Sequence, residues 1–452
     1  MNKPRTKASV FWSSRAALFG LLACLPGASG ADATEELTKQ VRELQKQNQL
    51  LQEQLRHQQE LIDRMGQKLE TLEKSSVAVT NETSAAPPLS DERKSGFALP
   101  VLSGNLIVSG EAGFTFLHPG SAAGEPKDQF DVDEARLFLD AKVWNDVYLF
   151  TELNVVQREG QDRYFQPGEI YADVEGLLKH WDQEKLLNIR VGRLYIPFGE
   201  EYLTRTALDN PLISHSLSDL WGYDEGVEAY GSLGKFRYVA AMQNGSPAPL
   251  RHYSVDKALA GRVSYDPTSW LHTSVSAMRT GNLSTQNQGI SELWFGGGFI
   301  RALGASATTS NFHANLVEGD VQWLGKRHHL KAAGGYVHQD DNNVAVFGAD
   351  KRDVYYYYLE GLQSITDRLY VAARASQIFA PGGAPLVGNG DFGSYFFREL
   401  STDLWRVSLG VGYRWSSHCI LKGEYSFNGG HESDGGPRTG EDLLGAELTV
   451  GF

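Results

Sequence analysis

From Phe97 to Phe452 the sequence alternates on a two-residue period, and in each alternating stretch one face is apolar and the other wet. In residues 133–143, Ala135, Leu137, Leu139, Ala141 and Val143 share one face, opposite Glu134, Arg136, Phe138, Asp140 and Lys142. Asn145-Asp146 reads as a tight reversal. Val147, Leu149, Thr151, Leu153 and Val155 then continue the apolar face, opposite Tyr148, Phe150, Glu152 and Asn154. Leu187, Ile189 and Val191 alternate with Asn188, Arg190 and Gly192 in the same way. A soluble sandwich or barrel of this length would need an apolar inner face and would normally split into smaller domains. A sheet with lipid on its apolar face and water on its ionic face needs neither. The pattern predicts an all-β, transmembrane antiparallel β-barrel around a water-filled lumen.

Candidate strands cover 103–117, 133–143, 147–155, 169–176, 187–192, 224–231, 235–243, 258–265, 271–279, 290–299, 311–323, 330–338, 354–363, 368–378, 404–415, 419–427 and 441–452. This gives 16 to 18 strands, and the even count of closed bacterial barrels favours 16. Short turns, such as 266–269 and Thr366-Asp367, are interleaved with long polar connections at 244–256, 339–353, 379–393 and 428–440. That asymmetry is typical of a membrane barrel with its short turns on the periplasmic side. Tyr355 to Tyr358, Tyr395-Phe396-Phe397, Trp405, Tyr413, Trp415 and Tyr425 are candidates for interfacial girdles. The last strand, LLGAELTVGF, ends on Phe452, as outer-membrane barrels commonly do.

The first 96 residues follow other rules. Lys3, Arg5, Lys7 and Arg15 precede a short apolar core, Ala16 to Leu25, and Ala31-Asp32-Ala33 has the small-x-small form of a cleavage site; 1–33 therefore reads as a secretory signal peptide. Cleavage there removes those four basic residues and Asp32, so the formal charge moves from −13 to −16, a poor balance for nucleic-acid binding. It also leaves Cys419 as the single cysteine and excludes an internal disulfide. Residues 34–74 carry a heptad seam with Val41, Asn48, Leu55, Ile62 and Leu69 at a and Leu37, Leu44, Leu51, Gln58, Met65 and Leu72 at d. This predicts an α-helical coiled coil whose polar Asn48 and Gln58 set the register. Residues 75–96, with Ser75-Ser76, Pro87-Pro88 and the charged Asp91 to Lys94, read as a linker to a barrel domain over 97–452.

ARLFLDAKVWNDVYLFTELN (135–154), NIRVGRLYIPFGEEYL (188–203) with Gly192, Pro197 and Phe198, and YDEGVEAYGSLGKFRYVAAMQNG (223–245) together resemble the phosphate-selective porin O and P family of outer-membrane channels. The resemblance runs from about Gly104 to Phe452 and leaves out the coiled coil. It implies a homotrimer of 16-stranded barrels, each narrowed by a long loop folded inward, and a channel for anions such as phosphate. The loop that would correspond is Tyr195 to Tyr223. Its length and its mixture of Arg205, Asp209, His215 and Asp219 with Leu and Pro make it the constriction candidate on the residues alone as well. Arg136, Glu152 and Arg190 lie opposite apolar strand positions and are candidate lumen residues. Arg193, near a strand end, is a fourth.

The functional reading is an outer-membrane porin for passive diffusion of small hydrophilic solutes or ions, with no cofactor and no catalytic step. No serine sits in a nucleophile-elbow context, and His328-His329 lies in a basic turn without further metal-ligand spacing. The alternatives are a structural tether holding the barrel to peptidoglycan through its periplasmic coiled coil, and a barrel lipid hydrolase. Expected partners are other copies of the chain, outer-membrane lipids and the solutes themselves.

Overall fold

The computed structural model describes residues 97–99, 106–122, 128–157, 163–181, 185–218, 220, 222–245, 256–281, 283–284, 311–341, 353–384, 401–432 and 434–452. The signal peptide, the coiled coil with Asn48 and Gln58, the linker, Asp219, the candidate strand 290–299 and Tyr395 to Phe397 lie outside the described residues.

Among the described residues, sixteen long strands form one antiparallel sheet that closes on itself. They are β1 Leu106–Pro119, β2 Gln129–Trp144, β3 Val147–Gln157, β4 Arg163–Val174, β5 Asn188–Tyr195, β6 Tyr223–Leu233, β7 Phe236–Gln243 and β8 Ala258–Thr268, followed by β9 Leu271–Arg279, β10 Asn311–Leu324, β11 His328–Asp341, β12 Asp353–Ser364, β13 Leu369–Ala384, β14 Ser401–Ser416, β15 Cys419–Glu432 and β16 Leu443–Gly451. Each pairs with its sequence neighbours, and β16 pairs back onto β1 from Leu443↔Pro119 to Gly451↔Glu111. Closure leaves no strand edge exposed to lipid, which is what lets a sheet cross a bilayer. Short strands at Phe97–Leu99, Leu283–Ser284 and Pro437–Arg438 add to its rims.

The turns follow from local chemistry. Asn145-Asp146 joins β2 to β3, with Asp146 at φ 60, a left-handed conformation that a short polar side chain tolerates. Gly234, at φ 62, serves the same end between β6 and β7. The turn expected at 266–269 is displaced. β8 runs through Asp266-Pro267 to Thr268, and Ser269-Trp270 makes the reversal, because a proline is tolerated near a strand end where its missing N–H falls outside the regular ladder. The connections expected at 379–393 and 428–440 likewise start later, since β13 continues to Ala384 and β15 to Glu432.

The pleat sorts side chains between lumen and lipid. On β12, Val354, Tyr356, Tyr358 and Glu360 are buried inward, whereas Tyr355, Tyr357 and Leu359 are exposed outward. The run Tyr355 to Tyr358 is therefore not one girdle: only its odd members can meet lipid. Trp405, Tyr413, Trp415 and Tyr425 do face outward, among a continuous set of exposed Val, Leu and Phe side chains. Inward positions carry Glu134, Arg136, Glu152, Asn154, Arg374, Arg406, Lys422 and Glu424, all buried despite their charge or polarity. Their burial comes from what fills the barrel.

Candidate functional site

The described residues of 196–222, between β5 and β6, fold into the barrel. The Ile196 N–H donates to the Gly222 carbonyl at 2.9 Å and closes the base of this loop. Its apolar residues anchor it at two places. Ile196, Phe198, Leu217 and Leu220 join Val337, Ile378 and Leu404 of the wall in one buried cluster, and Leu212 packs with Tyr370, Ala372 and Ile420 in another. Burying a leucine or phenylalanine is worth about 1.5–3 kcal/mol, so these contacts alone favour the inward position.

The loop's backbone polar groups must also be satisfied, and inward-facing wall side chains do so. Glu134 accepts the Ala207 N–H at 2.6 Å. Glu424 accepts the Ile213 and Ser214 N–H groups at 2.6 and 2.9 Å and the Ser214 hydroxyl. Arg374 donates to the Ser214 carbonyl at 2.6 Å and to Asn210 at 3.0 Å, and it pairs with Glu360. Arg406 donates to the His215 carbonyl at 3.2 Å, and Lys422 donates to the carbonyls of Ala207 and Leu212 while pairing with Glu447 at 3.0 Å. At the loop's start, Glu200 lies between Arg262, at 3.1 Å, and His272, at 3.2 Å. Burial pushes the Glu200 carboxyl up, but Arg262 and His272 outweigh it and hold it at about 2. Burial also drives the His215 imidazole well below its ordinary value, and Arg205, Arg374, Arg136 and Lys422 add to the same effect by repulsion.

Beside the loop remains a cavity of about 670 Å³. Its wall is built by β1 to β7 and by β9, β10 and β11, and the loop supplies Glu200, Tyr202, Leu203, Thr204, Thr206 and Asp209. Eight carboxyl groups line it: Asp140, Glu152, Glu169, Asp173, Glu175, Glu200, Asp209 and Glu228. Four arginine and lysine side chains line it as well, and each has a carboxylate beside it. Arg136 pairs with Glu134 and, at 3.7 Å, Glu152; Arg190 with Asp173 at 3.1 Å and Glu228 at 3.3 Å; Arg237 with Asp266 at 3.1 Å; Lys331 with Glu360 at 3.7 Å. Aromatic rings form much of the rest, among them Phe138, Phe150, Tyr171 and Tyr195.

The structure thus places Arg136, Glu152, Arg190 and Asp209 on this cavity. Arg205 is buried with the loop, and His215 is half-buried on it. Arg193 is bonded into the wall, with its Nε on the Gly168 carbonyl at 3.0 Å and a guanidinium nitrogen 3.2 Å from Glu225. Sequence reading missed the residues that grip the loop: Glu134, Arg374, Arg406, Lys422 and Glu424. The alternation put Glu134 on the wet face and gave the others only a strand, and the loop atoms they hold are 73 to 215 residues away, so nothing in a single sequence pairs them.

A closed sheet of sixteen antiparallel strands, apolar outside and ionic inside, with a long loop folded into the lumen, defines the outer-membrane porin type of β-barrel. The fold is shared with the outer-membrane channel DcaP of Acinetobacter baumannii, at a TM-score of 0.53 and 11% identity over 79% of this chain and 100% of that one. OprB of Pseudomonas putida, in a high-pH structure, is similar at 0.50 with 10% identity over 78% and 95% of the two chains. In-vitro folded OmpT of Vibrio cholerae is similar at 0.50 with 10% identity over 77% and 97%. No protein-family model and no curated protein matches the sequence.

Proposed function

We propose that the chain is an outer-membrane porin that lets small hydrophilic solutes and ions diffuse passively through its lumen. The observation that carries this reading is the inward loop, which narrows a closed barrel yet leaves a 670 Å³ cavity lined by ionised and hydrogen-bonding side chains. A structural barrel needs no such cavity; a channel does. Discrimination would come from width and from the field of the lining charges, with no covalent step. The likeness of 135–154, 188–203 and 223–245 to phosphate-selective porins raises anion transport. Against it, the four cationic side chains on the cavity are each engaged with a carboxylate, so we favour general diffusion over a phosphate channel. In this reading the signal peptide directs export, residues 34–74 form a periplasmic coiled coil registered by Asn48 and Gln58, and the barrel works as a homotrimer. Any contact with peptidoglycan would be made through that coiled coil.

Planar-bilayer recording of the purified protein tests this. Stepwise openings in KCl are expected, in groups of three for a trimer; correctly folded protein that never conducts would sink the porin reading. Deleting 34–74 should leave the conductance of each step unchanged.

A further inference from the structure

We propose that the cavity beside the inward loop prefers organic cations and that its aromatic wall is the surface they move along; this deepens the porin reading and rests on it. Five side chains on five consecutive strands, β2 to β6, form one stack across the wall. The rings of Phe138 and Phe150 stack with centroids 6.2 Å apart, and those of Phe150 and Tyr171 at 5.2 Å. The Arg190 guanidinium continues the stack, 5.1 Å from the Tyr171 centroid and 4.3 Å from that of Tyr230.

Arg190 shows what this wall holds. It is a flat cation seated between two ring faces, with Asp173 and Glu228 supplying the counter-charge at 3.1 and 3.3 Å. Ring faces carry the negative lobe of an aromatic quadrupole, so they attract ammonium and guanidinium groups and repel anions. The neighbouring rungs, Phe150 and Tyr171, line the same cavity as Asp140, Glu152 and Glu169, so a passing solute meets aromatic surface and carboxyl groups together. A row of such sites, each weak, suits conduction, because a solute can enter one and leave for the next. Phosphate or another oxyanion finds the opposite arrangement. Eight carboxyl groups face it, and the arginine and lysine side chains are already occupied.

The full-length protein in planar bilayers tests this with defined probes. In a KCl gradient, the reversal potential should show K⁺ preferred over Cl⁻ by roughly threefold or more. Benzyltrimethylammonium added at millimolar concentration should reduce the KCl current, whereas benzenesulfonate at the same concentration should not. The double variant Phe150→Leu/Tyr171→Leu keeps apolar bulk but removes the ring faces. It should weaken the cation block about tenfold, with parent-like heat-modifiable gel migration as the sign that the barrel still folds. A channel that conducts KCl but is blocked equally by both probes, by benzenesulfonate alone, or by neither, overturns the inference and leaves the porin reading standing. Undiminished block in the double variant overturns the aromatic path. A protein that does not conduct KCl at all overturns the porin reading, and this inference with it.

Discussion

The two sides of the lumen use the same residue types for different work. On β13 to β15, the inward Arg374, Arg406, Lys422 and Glu424 all reach the loop: each has at least one hydrogen bond to a loop carbonyl or N–H group. On β2 to β6, the inward Arg136, Glu152, Arg190 and Glu228 pair with each other's strands and face open space. A strand pattern of alternating charge therefore does not distinguish a wall that grips the loop from one that faces the cavity. The difference lies in whether the loop's backbone reaches the charge, and in a buried setting an unmet carbonyl or N–H costs more than a surface ion pair yields.

The sharpest way to break this contrast is Arg374→Ala. It removes the closer of Glu360's cationic partners, leaving Lys331 at 3.7 Å, and frees the loop at Ser214 and Asn210, at a cost of about 3 kcal/mol to the docked loop. Faster protease cleavage within 196–222 and larger, noisier single-channel steps are expected; a parent-like cleavage rate would mean the gripping wall does not hold the loop.

Acid should act on the docked loop in two windows. The folded imidazole of His215 titrates well below 6.5, so below that pH a released loop binds a proton that the docked loop does not, costing the docked state about 1.4 kcal/mol per pH unit. Glu200 behaves as a carboxyl with a lowered value. Its contribution is complete above its ordinary 4.5 and is lost as pH falls toward about 2, a total of about 3 kcal/mol. Conductance noise recorded from pH 7 to 2 should rise in both windows, and His215→Asn should abolish only the upper one. If His215→Asn leaves the pH profile unchanged, the histidine is not neutral in the docked loop.

Glu424→Gln keeps the shape but removes the charge from an acceptor of three loop hydrogen bonds, and should cost about 2 kcal/mol, read as a smaller gain in protease sensitivity than Arg374→Ala gives. On the open side, Glu228→Gln should cost the barrel about 1 kcal/mol or less of thermal stability and leave loop cleavage unchanged, while lowering the K⁺/Cl⁻ permeability ratio. Loop release in that variant would erase the distinction between the two walls. The smallest effect is expected from Tyr357→Phe on the lipid face. It loses a 2.8 Å hydrogen bond to Gln377, about 0.5–1 kcal/mol, and should leave both conductance and selectivity unchanged.

Much of this architecture is legible in the sequence because strand pleating is a local rule. Glu134, Arg136 and Phe138 point one way and Ala135, Leu137 and Leu139 the other whatever the rest of the chain does, so which residues face water follows from parity alone. Turn chemistry is local too, and the Asn145-Asp146 reversal lies where it was expected. Parity fails where regularity does. Strand ends at Thr268, Ala384 and Glu432 depend on whether a neighbour offers hydrogen bonds, which composition does not record.

By itself the sequence determined an all-β region with a greasy outside, an ionic inside and one long loop worth watching between β5 and β6. Tertiary structure alone decided that the loop lies inside, and that Glu424 and Arg374 hold it from more than 150 residues away. It likewise decided that Phe138, Phe150, Tyr171, Arg190 and Tyr230 line up as one stack. The physical reason is closure: only when β16 meets β1 do distant inward faces look across one narrow space, and only there do their charges find, or fail to find, a partner.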